Sequence, residues 1–295
     1  MKIEKYAAID IGSNAVRMLI ANVINDKNGN VYFQKNSILR VPIRLGSDTF
    51  TLGYISKKNI DRLLNAVKAF NLLIKVNEVI DFNVYATSAL REAKNKNDVI
   101  KFIKEKTNVE IEIIDGNKEA NLISSQNLFQ GINNYSNILY VDVGGGSTEF
   151  SVFKNGKRVL EKSFKIGSVR LLNNRVHKKT WNDIQKWVIT STKDLDKLSI
   201  VGTGGSINKI HKLTNSKEGI PLSLTSLNNF YNKISSLTYE ERIIEFELSP
   251  DRADVILPAT QIYLKTMKWS NTFVIYIPKI GLSDGMIEEI YKSRK

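Results

Sequence analysis

A chain of 295 residues with 42% hydrophobic residues has room for two domains that each bury a core, within the ordinary composition range of a globular protein. It has no cysteine, which excludes disulfides, thiolate metal sites and cysteine-nucleophile phosphatase chemistry, and its two histidines, His177 and His211, stand apart in the sequence. The 43 Lys and Arg against 30 Asp and Glu leave a net charge of +13, which suits a polyanionic partner or reflects a Lys- and Asn-rich surface; no aromatic RNA-binding motif or zinc finger points to nucleic acid.

Residues 5–24 read as a hairpin whose turn, Asp10-Ile11-Gly12-Ser13-Asn14, follows an apolar strand. Asp10 and Arg17 interrupt any signal-peptide or membrane-spanning run, so a cytoplasmic chain without membrane association is expected. Residues 31–45 continue the β pattern, with Gly46 and Gly53 as punctuation. Ser56 then reads as the cap of a helix whose apolar positions Ile60, Leu63, Leu64, Val67, Phe70 and Leu73 share one face. Residues 81–86 form a short strand that runs into Thr87-Ser88 and a helix carrying Arg91. Residues 109–114 are another strand, ending at Asp115-Gly116 before a helix over about 118–129.

The second half repeats this order. Leu139-Tyr-Val-Asp142-Val-Gly144-Gly145-Gly146-Ser147-Thr148 is again an apolar strand, an Asp and a small-residue turn, 132 positions after the first and inside a hairpin over 138–166. Gly167-Ser168-Val169-Arg170-Leu171, a helix near 180–194, a strand over 198–201 and the loop Gly202-Thr203-Gly204-Gly205-Ser206 opening a helix through His211 follow. The strand, hydroxyl loop and helix at 82–94 thus have a counterpart at 198–211. Two α/β halves with polar loops at matching ends, and no Ser/Gly-rich linker between them, predict a cleft.

Several residues in this frame carry chemistry or serve the fold. An Asp at a strand end often only caps local backbone, but its repetition at Asp10 and Asp142 points to a ligand, with a phosphate and metal role for Asp142 especially. Gly144, Gly145 and Gly146 are entropically costly in a plain hairpin and make sense where a ligand approaches the backbone. Thr87, Ser88 and Arg91 can converge on one anion near a helix N-terminus; an Arg91 paired with Glu92 or Glu119 is the alternative. Glu119 shares a face with Leu122, Ile123 and Gln126, so it either complements the helix dipole or points inward. By alternation Glu149 shares a face with Ser151, which predicts exposure unless it shares a cation with Asp142.

Taken together, AAIDIGSNAVRMLI at 7–20, ATSALREAKN at 86–95, IIDGNKEANLI at 113–123, LYVDVGGGSTEF at 139–150, FKIGSVRLLN at 164–173, VGTGGSINKI at 201–210, and RADVILPA with GLSDGMIEEI further on resemble the exopolyphosphatase and guanosine pentaphosphate phosphohydrolase family. The resemblance implies an α/β fold of two ribonuclease-H-like domains of the actin, Hsp70 and sugar-kinase type facing across a cleft, over residues 1–121 and 122–295, with the last helix packing back on the first. It also implies that the HD-like C-terminal domain of longer members is missing. The family's catalytic glutamate falls on Glu119. The departures are Asp115, Lys118 and Asn121 in the segment usually written Ser-Gly-x-Glu-Glu-Ala-Arg, and Ser283 where the family commonly has Arg.

The expected reaction is hydrolysis of a terminal phosphoanhydride in polyphosphate or guanosine pentaphosphate. Gly12, Ser13, Asn14, Arg17, Ser88, Arg91, Gly144, Gly145, Gly146 and Ser147 are the expected phosphate ligands. Asp142 and Glu149 are the expected holders of Mg²⁺ or Mn²⁺, Glu119 is expected to act on the attacking water, and a homodimer is the expected assembly. The competing readings are a kinase of the same fold group, which needs an acceptor, and a nucleotide-binding actin-like scaffold, which releases no phosphate.

Overall fold

The apolar run that starts at Tyr6 lies in strand β1 (Lys2–Ile11), which pairs antiparallel with β2 (Val16–Asn25) from Lys2↔Asn25 to Ile11↔Val16. This computed structural model describes residues 1–124, 137–214, 217 and 219–295, and it divides into a first unit of Met1–Gln126 with Ile280–Lys295 and a second of Asn127–Lys279.

In the first unit the chain continues through β3 (Val31–Val41), α1 (Leu45–Leu52), α2 (Lys57–Val76), β4 (Asp81–Ala86), α3 (Ser88–Glu92), α4 (Lys96–Thr107), β5 (Glu112–Ile113) and α5 (Gly116–Ser124). Among the described residues the sheet order is β3-β2-β1-β4-β5, with β4 and β5 parallel to β1 and reached through helical crossovers. Ser56 caps α2, its side chain accepting from the Asn59 amide, as the hydroxyl before the apolar period requires. The strand expected over 109–114 is confined to β5, because Tyr85 and Ala86 at the end of β4 are its pairing partners. Gly53, with φ 83°, does end α1, but Gly46 lies inside that helix rather than punctuating it. A Cβ there would stand 2.7 Å from the Phe50 ring and 2.9 Å from Ser13 Cβ, so glycine serves close packing against the first Asp turn. The helix expected over about 118–129 starts earlier, at Gly116; its Gln126 and Phe129 lie outside the described residues.

In the second unit β6 (Asn137–Val143), β7 (Thr148–Lys154) and β8 (Lys157–Phe164) form a meander rather than one hairpin, because Asn155 and Gly156, with φ 49° and 75°, make a second two-residue turn. Then come α6 (Ser168–Leu172), α7 (Lys178–Thr192), β9 (Leu198–Thr203), α8 (Gly205–Leu213), β10 (Leu222–Ser223), α9 (Leu224–Ser235), α10 (Tyr239–Glu245), α11 (Pro250–Ala253), α12 (Ile256–Trp269) and β11 (Val274–Tyr276). Strand β9 runs two residues past the expected Val201, since Gly202 and Thr203 still pair with Val141 and Asp142 on β6. The core gathers Leu139, Val141, Phe150, Val152, Ile200 and Tyr263, with Phe150, Phe164 and Trp187 rings in mutual contact.

The chain then returns to the first unit as α13 (Leu282–Ser293), which packs on β1, β2 and β4. Tyr291 meets Tyr6 and Phe33 edge to face at 6.1 and 5.7 Å. The order of the second sheet is β10-β11-β9-β6-β7-β8. Apart from the added edge strand β10, the described strands correspond one for one with the first sheet: a three-strand antiparallel meander whose first strand is extended on its other side by two successive parallel strands. Each unit is a ribonuclease-H-like α/β domain of the actin, Hsp70 and sugar-kinase type.

Candidate functional site

The two Asp turns have the same construction. In the first unit the Gly12 amide donates to Ala15 O at 3.1 Å, and in the second the Gly144 amide donates to Ser147 O at 3.0 Å. A Cβ on either glycine would press on that same acceptor at 3.1 Å. The turn carbonyls are also braced alike. Ser13 O accepts from the Gly46 amide at 2.8 Å and Asn14 O from the Arg44 amide at 3.0 Å. Gly144 O accepts from the Ser168 amide at 3.0 Å, while Gly145 O takes the Val169 and Arg170 amides at 2.9 and 3.0 Å. Gly146 O is held by Arg170 Nε at 2.8 Å. Since a trans peptide points its N–H opposite to its C=O, the amides of Asn14 and Ala15, and of Gly145, Gly146 and Ser147, are directed away from these braces.

The turns differ in what faces the Asp. Asp10 lies across the strand pair from Arg17, whose Nη1 stands 3.7 Å from Asp10 Oδ2. At the matching positions Asp142 lies across from Glu149. Two carboxylates directly opposite repel one another, and Glu149 is only 2% exposed, so this pair calls for a cation where the first turn supplies its own guanidinium. The alternation that predicts an exposed Glu149 fails because β7 is buried on both faces through Phe153. Glu149 Oε1 accepts from Ser163 Oγ at 3.0 Å, and Asp142 Oδ1 accepts from Thr203 Oγ1 at 2.7 Å.

Elsewhere in the first unit Ser13 and Ser88 bring their hydroxyls to 2.9 Å, joining the Asp turn to the start of α3. Arg91 has a backbone partner that neither expectation names. Its Nη1 donates to Ile114 O at 2.6 Å, fixing the turn between β5 and α5. Glu119 is 8% exposed and shares its helix face with Leu122 and Ile123, both buried, so its carboxylate is turned inward. Asp115, one of the departures, caps the start of α5: its Oδ1 accepts the Lys118 amide at 2.7 Å. Lys118 Nζ donates to Glu112 at 2.8 Å and to the Tyr85 hydroxyl at 3.2 Å; these partners hold its ammonium above the ordinary lysine range against the opposing effect of burial. Asn121 is exposed.

The residues that sequence reasoning leaves unassigned are the braces: Gly46, Gly167, Ser168 and Arg170 behind the turns, and Thr203 behind Asp142. A Cβ on Gly167 would lie 2.4 Å from Gly145 C, so only glycine lets α6 reach the turn. Their signal was the polar, glycine-bearing segments 167–171 and 202–206, which spacing alone does not connect to the turns.

Residues 23–294 match the Ppx/GppA phosphatase family. The bifunctional 3-dehydroquinate synthase/phosphatase of Fusobacterium nucleatum is 30% identical over 98% of this chain and 48% of that protein. Exopolyphosphatase 1 of Mycobacterium tuberculosis is 27% identical over 57% of this chain and 47% of that protein. The chain therefore spans about half the length of these curated relatives. The crystal structure of the Aquifex aeolicus Ppx/GppA family member superposes with a TM-score of 0.76 at 25% identity, covering 100% of both chains. Among the described residues no helix is long and apolar enough to cross a membrane. With a match over 23–294 and the same strand, Asp and turn built into both sheets, the chain belongs to the Ppx/GppA phosphatase family.

Proposed function

We propose that this protein hydrolyses the terminal phosphoanhydride of inorganic polyphosphate and releases orthophosphate, with guanosine pentaphosphate as the alternative substrate. The observation that carries this reading is the duplicated Asp turn, whose carbonyls are braced from behind in each unit so that its amides face the other way. The exopolyphosphatase among the relatives supports the substrate class.

In this reading the amides of Ser13 and Asn14 and of Gly145, Gly146 and Ser147, with the Ser13 and Ser88 hydroxyls, hold phosphoryl oxygens, while the Gly12 and Gly144 amides close the two turns on Ala15 O and Ser147 O. Arg17 and Arg91 offset their charge. Glu119 orients the attacking water and takes its proton as the new P–O bond forms. The bond to the bridging oxygen breaks, and its electron pair leaves on the shortened phosphate chain, a good leaving group that needs no general acid. Asp142 and Glu149 would hold a divalent ion, which when bound neutralises further phosphoryl charge. Their fit rests on an opposed, oxygen-only carboxylate pair, the donor set that Mg²⁺ or Mn²⁺ prefers.

The test is orthophosphate release from polyphosphate of defined length and from guanosine pentaphosphate, each with Mg²⁺ and with chelator. Metal-dependent release from polyphosphate is expected. Tight binding without release would overturn the reading in favour of a scaffold, and transfer to an acceptor in place of water would make the protein a kinase.

A further inference from the structure

Helix α5 carries Glu119 on its first turn, and within the first unit α13 packs against it. At the crossing Gly285 faces the backbone of Leu122: a Cβ at 285 would stand 2.0 Å from Leu122 O and 2.5 Å from its carbonyl carbon. No side chain fits in that space, so the two helix backbones meet only because residue 285 is glycine. One turn further along α13, Glu289 accepts the Tyr85 hydroxyl proton and stands 3.9 Å from Lys118 Nζ. Lys118 also lies over the Tyr85 ring, 4.3 Å from its centroid. Helix α5 is therefore held at Lys118 and at Leu122, the residues just before and one turn after Glu119.

Helix α13 is itself a fixed strut. The Tyr291 hydroxyl donates to Asn25 on β2, Arg294 donates to Asp81 at 2.9 Å, and Asp284 pairs with Lys35 on β3 at 2.7 Å. The start of α5 is held independently by Arg91 at Ile114 O and by the Asp115 cap. An acid at 118, as in the family pattern, would stand beside Glu112 and Glu289 and repel both, whereas Lys118 turns the same contacts into attraction.

We infer that α13 positions the Glu119 carboxylate, with Gly285 and the Lys118–Glu289 pair as positioning residues for it. The inference rests on the reading of Glu119 as the group that acts on water. A packing role alone would leave turnover intact and show only in stability, little at the partly exposed Lys118–Glu289 pair and more at the close-packed Gly285. A positioning role lowers kcat with little change in KM, because misplacing a reacting group by about 1 Å costs about 10- to 100-fold.

The experiment measures kcat and KM on polyphosphate of defined length with Mg²⁺, and the melting temperature, for Glu119→Gln, Lys118→Met, Lys118→Arg and Gly285→Ala. Glu119→Gln is expected to lower kcat by about 10²-fold. Lys118→Met is expected to lower kcat about 10-fold or more at nearly constant KM, with Lys118→Arg restoring it, and Gly285→Ala to lower kcat further. Should Gly285→Ala fail to fold, the Met and Arg pair at 118 decides alone. Normal kcat in Lys118→Met, with Glu119→Gln inactive, overturns the positioning role and leaves the parent reading intact. Normal turnover in Glu119→Gln overturns both.

Discussion

Thr203 donates its hydroxyl proton to Asp142 Oδ1 at 2.7 Å, across the strand register that pairs the two residues. With that proton committed, the Tyr140 hydroxyl is the donor in its own short contact with Thr203 Oγ1, and Tyr263 donates to Thr203 O. Burial pushes both tyrosines well above the ordinary phenol range, and the Asp142 carboxylate adds to it, so both remain protonated donors. The fully buried Thr203 side chain thus fixes one carboxylate oxygen of the proposed metal holder.

Removing that hydroxyl while keeping the side-chain shape is therefore expected to weaken the metal site. Thr203→Val should lower Mn²⁺ affinity about 10- to 100-fold, and Thr203→Ser should keep it. Electron paramagnetic resonance of Mn²⁺ titrated into the protein without substrate reads this directly. Equal affinity in the Val variant would detach Thr203 from the role of Asp142.

The second turn depends on glycine outside its own sequence. Gly167→Ala places a methyl group 2.4 Å from Gly145 C and 2.5 Å from Gly146 N, backbone atoms that cannot rotate away. We expect an overpacking cost of about 1–3 kcal/mol, seen as a lower melting temperature, together with a raised KM as the amides of Gly145 and Gly146 move. An alanine variant with normal stability and normal KM would mean that α6 does not brace the turn.

What is legible in the sequence follows from how far apart the cooperating residues lie. The two Asp turns, the Ser56 cap and the bounds of β4 are written in contiguous residues, and local rules recover them. Thr203 reaches Asp142 across 61 positions, and no spacing rule links them. Arg91 offers the same lesson, because its acceptor, Ile114 O, exists only once β5 has paired with β4. Glu149 shows a different limit of local rules: alternation presumes one wet face, and β7, between β6 and β8, has none through Phe153.

Tyr85 gives the first unit an alkaline signature. Burial first, then its hydrogen bond to Glu289, pushes its hydroxyl from 10.0 up to about 12, with Lys118 pulling the other way. The folded state therefore holds this proton more tightly than the unfolded chain does. Its contribution to stability is complete below pH 10.0 and is lost as the pH rises through about 12. The stability difference between the native protein and Tyr85→Phe should narrow over that window in denaturant titrations. A constant difference from pH 9 to 12 would show that Tyr85 titrates as an ordinary phenol.

Substrate choice should follow charge. Lys209 on α8 lies below the ordinary lysine range, through burial first and then through the neighbouring charges of Lys212 and Arg252, which Glu247 offsets only in part. A phosphate chain laid against these cations relieves their repulsion and releases its own counterions, so affinity gained this way falls as salt rises. In a chain of net charge +13, we expect polyphosphate of short to intermediate length to show higher kcat/KM than guanosine pentaphosphate, with the advantage shrinking between low and physiological salt. Lys209→Ala should lower the slope of log kcat/KM against log salt by about one and leave kcat near normal. The measurement is kcat/KM for both substrates across a salt series. A preference for guanosine pentaphosphate with a flat salt response would reverse the assignment, because a polyanion held by several cations cannot be indifferent to their screening.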